Sequence, residues 1–205
     1  MKVVVLISGR GSNLEALLQD QSGYQITHVI SNNPTAKGLE IAHHYGVTNS
    51  YLDWTDRQKA EQFLLDISGQ EQADLVILAG FMKILSAELV DRLFPKIINI
   101  HPSLLPDYPG LNTHQRVLED QRDWHGATVH LVDSQLDHGP RISQTTIPVT
   151  AADNATSLAE KLLRKEHKLL TRTVGLMAQQ QILWQDQQLM YKQQPLTKPL
   201  MMSCD

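Results

Sequence analysis

The chain has 205 residues, 41% of them hydrophobic and 20% charged, which is enough for one substantial core and too little for two comfortable domains. Its formal net charge of −4 argues against a nucleic-acid partner, because a phosphate-tracking surface needs an excess of Lys and Arg on one face. A single cysteine, Cys204, excludes a disulfide framework and a thiolate metal site, and no apolar run approaches the roughly 20 residues of a membrane span or resembles a signal-peptide core, so a soluble cytoplasmic protein with no membrane partner is expected.

The first apolar run, Lys2–Ile7, reads as a buried strand, followed by a Gly/Ser loop and a helix over 13–20. Gln25–Ser31 is a second strand, 36–45 is helical until Gly46 stops it, and 47–52 is a shorter strand. Apolar Ala60, Phe63, Leu64 and Ile67 form a helical stripe over 56–68. The most apolar segment, 73–79, is a central strand ending at Gly80, and 96–100 is another, cut off by Pro102. A helix is expected over 113–120, then strands over 127–132 and Arg141–Pro148, close enough in sequence to make that end of the sheet antiparallel. The longest helix covers 156–179, a hairpin 182–191, and a loose tail 193–205. This alternation is the rhythm of a doubly wound, mostly parallel twisted sheet of about seven strands with helices on both faces. A single domain is expected over 1–192, with 193–205 as a C-terminal tail.

Three motifs carry chemistry. Ser8-Gly9-Arg10-Gly11-Ser12-Asn13 lies between a strand and a helix, where backbone N–H groups and the positive helix end suit a phosphate. A capping box of Ser12 and Glu15 is the plainer reading. Leu14 stands where a dinucleotide fingerprint has its third glycine, so a monophosphate fits better than NAD. Asn99 and His101 are two apart at the end of a strand and project to one side, into the crevice outside the carboxyl ends of the strands. An amide beside an imidazole suits the oxyanion of an acyl transfer. In Leu136-Asp137-His138-Gly139-Pro140, Asp137 can orient His101 and favour its charged form, although an Asp-rich turn is the ordinary alternative. The nine histidines lack a zinc-type spacing, and no metal is expected.

Together with Ala79-Gly80-Phe81-Met82-Lys83-Ile84-Leu85 and Tyr108-Pro109-Gly110, these motifs occur in the order and spacing of the phosphoribosylglycinamide formyltransferase family, which the chain resembles from Lys2 to about Gln180. The resemblance implies a Rossmann-like formyltransferase fold and transfer of a formyl group from 10-formyltetrahydrofolate to the amine of glycinamide ribonucleotide in purine synthesis. It implies Gly11, Ser12 and Asn13 for the substrate phosphate, and the stretch Leu163, Arg164, Lys165 and Glu166 for the ribose side, with Glu166 the candidate contact. On the folate side it implies Arg57 for the glutamate tail, Met82, Lys83, Ile84 and Leu85 for the pterin, Asn99 at the reacting group, and the loop Asp133, Ser134, Gln135, Leu136 and Asp137. Phe81, Ile84 and Leu85 are candidates to wall a flat heterocycle. Lys83 departs from the arginine usual in the family, and Arg141 from an aliphatic residue. His138 adds a second titratable ring near the site.

The mechanism this implies is direct attack of the amine, with Asn99 and protonated His101 holding the oxyanion, and with Asp137 supporting His101 and positioning a proton-carrying water. The oligomeric state is left between monomer and homodimer. Rival readings are a formyltetrahydrofolate hydrolase, which carries an extra N-terminal module for which a first strand at Lys2 leaves no room, and a non-catalytic folate- or nucleotide-binding module. A transfer-RNA formyltransferase needs a basic surface, and a sugar-nucleotide formyltransferase is harder to exclude by chemistry alone.

Overall fold

The computed structural model describes residues 1–20 and 22–204; Asp205, the last residue of the expected tail, lies outside them. In chain order the elements are β1 (Lys2–Ile7), α1 (Ser12–Gln19), β2 (Gln25–Ser31), α2 (Lys37–His44), β3 (Thr48–Tyr51), α3 (Arg57–Gln70) and β4 (Leu75–Leu78). They continue with α4 (Ala87–Leu93), β5 (Ile97–His101), α5 (Thr113–Glu119), β6 (Trp124–Leu131), β7 (Arg141–Pro148) and α6 (Ala155–Ala178). The chain closes with β8 (Ile182–Gln185), β9 (Gln188–Tyr191), β10 (Gln194–Pro195) and β11 (Leu200–Met201).

The main sheet has the order β11-β7-β6-β5-β4-β1-β2-β3. Strands β5, β4, β1, β2 and β3 run parallel, while β6 is antiparallel to both β5 and β7. The chain works outward from β1 to β2 and β3, then returns to β4 on the other side. The crevice of a doubly wound sheet opens at such a reversal.

Side-chain alternation along β1 shows how the core is divided. Val3, Val5 and Ile7 face one apolar cluster with Leu14, Leu17, Leu162 and Leu169 of α1 and α6, while Val4 and Leu6 face a second with Ala60 and Leu64 of α3 and Leu89 of α4. A strand buried on both faces needs an unbroken apolar run rather than an alternating one, which is why β1 and β4 are so apolar. Helix α6 starts at a capping box in which Asn154 accepts from Ser157 N at 3.0 Å and Ser157 Oγ accepts from Asn154 N at 3.0 Å.

Three expectations change. Helix α4 was not foreseen; it has seven residues, begins where Ser86 Oγ accepts from Leu89 N at 3.1 Å, and buries Leu89 and Val90. Strand β6 begins at Trp124 rather than at 127. The tail is not loose: β10 pairs with β9, and β11 pairs with β7, making the main sheet eight-stranded. Arg172 also donates to the Ser203 carbonyl. Among the described residues no helix is long and apolar enough to cross a membrane.

Candidate active site

The glycine loop follows β1. Gly11, with φ of 77°, is the N-cap of α1, and among the described residues no side chain caps the start of that helix. The Ser12–Glu15 capping box therefore does not form, and first-turn N–H groups are left for an anion. The loop packs hard on α2: a Cβ on Gly11 would lie 2.5 Å from Gly38 Cα, so the backbone can take this course only as glycine.

Asn13 is buried, its Nδ2 donates to Glu166 Oε2 at 3.4 Å, and its Oδ1 has no hydrogen-bond partner among the described residues. Burial pushes the Glu166 carboxyl up to about 7, against opposing help from the Asn13 hydrogen bond and the Arg10 charge. Glu166 thus reaches the loop from α6. In the same stretch Leu163 and Lys165 are half-buried and Arg164 is exposed.

Asn99, His101 and Asp137 come together at the carboxyl end of β5. Asp137, with φ of 51°, sits at a turn conformation that Asp tolerates better than most residues. Its Oδ2 accepts from Gly110 N at 2.8 Å and lies 3.3 Å from His101 Nδ1, while its Oδ1 accepts from Asn99 Nδ2 at 3.4 Å. The carboxylate is thus the hub that ties the β5 end to loops 108–110 and 133–138. The other nitrogen of His101, Nε2, donates to the Tyr108 carbonyl at 2.9 Å. Both ring nitrogens of His101 therefore face oxygen acceptors of the protein.

A fourth residue belongs to this centre. His130, 1% exposed on β6, donates from Nδ1 to the Leu131 carbonyl at 2.8 Å. Burial lowers its pKa, so the ring is neutral and Nε2 is an acceptor, lying 3.2 Å from Asn99 Nδ2. The Asn99 amide is thereby oriented by two acceptors, His130 Nε2 and Asp137 Oδ1. His138 turns away from this centre: its Nδ1 lies 3.1 Å from Asp133 Oδ2. Arg141 opens β7 half-buried, opposite His130, next to an irregularity in the ladder between Val129 and His130.

The folate-facing candidates line the same edge of the sheet. Gly80, φ 77°, turns the chain out of β4, leaving Met82 and Ile84 each 69% exposed, Lys83 exposed and Leu85 half-buried. Among the described residues the main chain from Gly80 to Leu85 makes one hydrogen bond, from Met82 N to Ser8 Oγ at 2.7 Å. Its other N–H and C=O groups make no hydrogen bond among the described residues, and Met82 and Ile84 present exposed apolar side chains beside them. Phe81 instead packs edge-on against Trp54, with ring centroids 5.3 Å apart.

Across the crevice Ser134 and Gln135 are exposed, Leu136 is 58% exposed, and Asp133 accepts from Gln135 N at 3.0 Å. Arg57 is engaged with Glu61 at 3.5 Å. Glu61 in turn accepts from Ser86 N at 2.7 Å, which places Arg57 near the C-terminal end of this segment. Among the described residues no group of three or more His, Cys, Asp or Glu side chains could hold a metal ion.

A mostly parallel α/β sheet with a glycine loop after β1 and an amide–imidazole–carboxylate cluster at the end of β5 is an arrangement suited to an enzyme of acyl transfer, and the sequence profile of the family described as Formyl transferase matches residues 1–174. A phosphoribosylglycinamide formyltransferase of Escherichia coli K12 is 37% identical over 185 residues, covering 87% of each chain. The solved phosphoribosylglycinamide formyltransferase of Coxiella burnetii superposes with a TM-score of 0.93 at 33% identity over 99% of both chains. A formyltetrahydrofolate deformylase of Pseudomonas putida also superposes, with a TM-score of 0.82 and 31% identity over 93% of this chain and 69% of that one. The chain belongs to the formyl transferase family and, within it, to the phosphoribosylglycinamide formyltransferases.

Proposed function

We propose that this protein transfers the formyl group of 10-formyltetrahydrofolate to the amine of glycinamide ribonucleotide, and that Asn99, His101 and Asp137 carry the chemistry. The observation that supports this most is the convergence of Asn99 and His101 on the Asp137 carboxylate, two strands from a helix start without a side-chain cap among the described residues after β1. Two strand spacings are about 10 Å, so a phosphate held by Gly11, Ser12 and Asn13 leaves the substrate amine to reach the β5 end. Glu166 faces the ribose between them. The reduced folate is a co-substrate; it supplies the formyl carbon and lies against residues 82–85 and 133–137, with Arg57 available to its anionic tail.

In the reaction the amine nitrogen attacks the formyl carbon, the new C–N bond forms, and the bond to the folate nitrogen breaks. A proton leaves the amine and reaches the departing folate nitrogen. Asn99 and His101 stabilise the oxygen that gains charge. Each exchanges one protein contact for it: Asn99 gives up the long bond to Asp137, and His101 Nε2 gives up the Tyr108 carbonyl. His130 keeps the Asn99 amide turned the right way through this exchange. Asp137 holds the other face of His101 and orients the water that carries the proton.

The hydrolase reading draws on the deformylase likeness, since water can replace the amine in the same geometry. Consumption of 10-formyltetrahydrofolate measured with and without glycinamide ribonucleotide separates them. Turnover that requires the amine supports transfer, and equal turnover without it supports hydrolysis.

A further inference from the structure

We infer that Ser8 is a positioning residue that couples the two substrate sites, holding the folate-facing segment 82–85 in fixed relation to the phosphate loop. The inference rests on the proposed function for the identity of the two ligands and on geometry for the coupling. Strands β1 and β4 are parallel neighbours at the point where the order of the sheet reverses. Their ladder ends at the bond from Ala79 N to Leu6 O, 2.9 Å. One step further a regular ladder would continue through the backbone of Ser8. Gly80 instead turns the chain away, and the side chain of Ser8 replaces the missing rung by accepting from Met82 N at 2.7 Å.

A hydroxyl has one hydrogen to give, and Ser8 gives it to Asn32 Oδ1 beyond β2, at 2.5 Å. That contact aims its lone pairs at Met82. The Ser8 carbonyl accepts from Asn33 Nδ2 at 3.4 Å, so one residue joins the carboxyl ends of β1, β2 and β4. Three residues further on lies Gly11, and the Gly9 carbonyl between them accepts from Gly38 N at 3.2 Å. Any shift of the loop on binding a phosphate is therefore passed to Ser8 along a stretch held by α2. The rung from Met82 N to Ser8 Oγ, the only one on the folate-facing main chain among the described residues, then moves with it.

Because Met82 is largely exposed, water can satisfy its N–H when the hydroxyl is removed. Ser8→Ala is expected to leave overall stability nearly unchanged while releasing the segment. Three readouts test this: amide hydrogen exchange of the peptide containing Met82, KM for each substrate, and the affinity for tetrahydrofolate with and without glycinamide ribonucleotide. In the parent protein, filling the phosphate loop slows Met82 exchange and changes folate affinity. In Ser8→Ala, exchange at Met82 is faster by about tenfold or more, folate KM rises by about tenfold with kcat reduced less, and folate affinity no longer responds to the second ligand. Ser8→Thr, which keeps the hydroxyl, restores all three.

Unchanged Met82 exchange in Ser8→Ala overturns the inference. So does lost protection with folate KM and inter-site response intact, since that leaves Ser8 a structural contact only. Exchange and binding need no turnover. If inorganic phosphate protects Met82 in the parent but not in Ser8→Ala while no formyl transfer occurs, the coupling stands and the proposed function fails.

Discussion

Helix α5 is docked through a pair of histidines, and acid should undock it. His125, 1% exposed on β6, lies with Nε2 2.9 Å from His114 Nδ1 on α5, and its own Nδ1 has no hydrogen-bond partner among the described residues. Burial, then the charges of His114 and His101, lowers the His125 pKa from 6.5 to about 4; His114 is lowered for the same first reason. A nitrogen-to-nitrogen contact holds one hydrogen, so it breaks when both rings are charged, and burial already disfavours the first charge on His125. With the folded value below the unfolded one, the unfolded chain binds the extra proton, and stability is retained above pH 6.5 and lost as pH falls toward 4. Values of 6.5 unfolded and about 4 folded imply a loss of about 2 kcal/mol between pH 7 and pH 5. Urea midpoints of the parent and of His125→Gln, measured across that range, isolate this contribution from the other titrating groups. The difference between the two proteins should change by about that amount. A difference that stays constant from pH 7 to pH 5 refutes the reasoning.

Other predictions follow from the site. Asn99→Ala and His101→Ala each lower kcat/KM by about 100-fold or more, measured by steady-state kinetics with both substrates. His130→Phe keeps the bulk but removes the acceptor that orients Asn99, and is expected to reduce kcat by about tenfold with substrate KM values little changed. Ser12→Ala chiefly raises KM for the phosphorylated substrate, and an unchanged KM counts against a phosphate site in that loop. Glu166 behaves oppositely to His125: its folded pKa of about 7 lies above the unfolded 4.5, so its ionisation weakens the fold as pH rises through that interval. Glu166→Gln should be more stable than the parent at pH 8, by up to about 3 kcal/mol, and similar to it at pH 4, as read from urea midpoints.

The strands that carry the site were legible because burial on both faces leaves unbroken apolar runs, and most observed boundaries fall within a residue or two of those expected. Features that depend on contact between distant segments were not. Helix α4 spans seven residues, two turns at most, and its Ser86 cap with Leu89 and Leu93 is a signal too brief to stand out. Strand β11 is two residues long and exists because β7 offers it an edge. The Ser12–Glu15 pattern matched a capping box, yet Gly11 takes the cap position in a left-handed conformation, which only its packing against Gly38 explains.

Within the site, the Asn99-Ile100-His101 spacing identified two side chains on one face of β5, the Leu136–Pro140 turn offered Asp137 as a partner for His101, and the resemblance brought in Glu166. His130 escaped because a histidine in an apolar strand reads as an ordinary core residue. Its role depends on its tautomer and its partner across the ladder, since β6 lays His130 directly opposite Asn99. Ser8 was seen only as the start of a loop, because the amide it holds is 74 residues away.

The central claim is that Asp137 organises a formyl-transfer centre, and single-turnover kinetics of Asp137→Asn with saturating 10-formyltetrahydrofolate and glycinamide ribonucleotide test it most directly. Both ligands should still bind with near-parent affinity while the transfer step slows by about 100-fold or more. Transfer at a rate close to that of the parent would contradict the account.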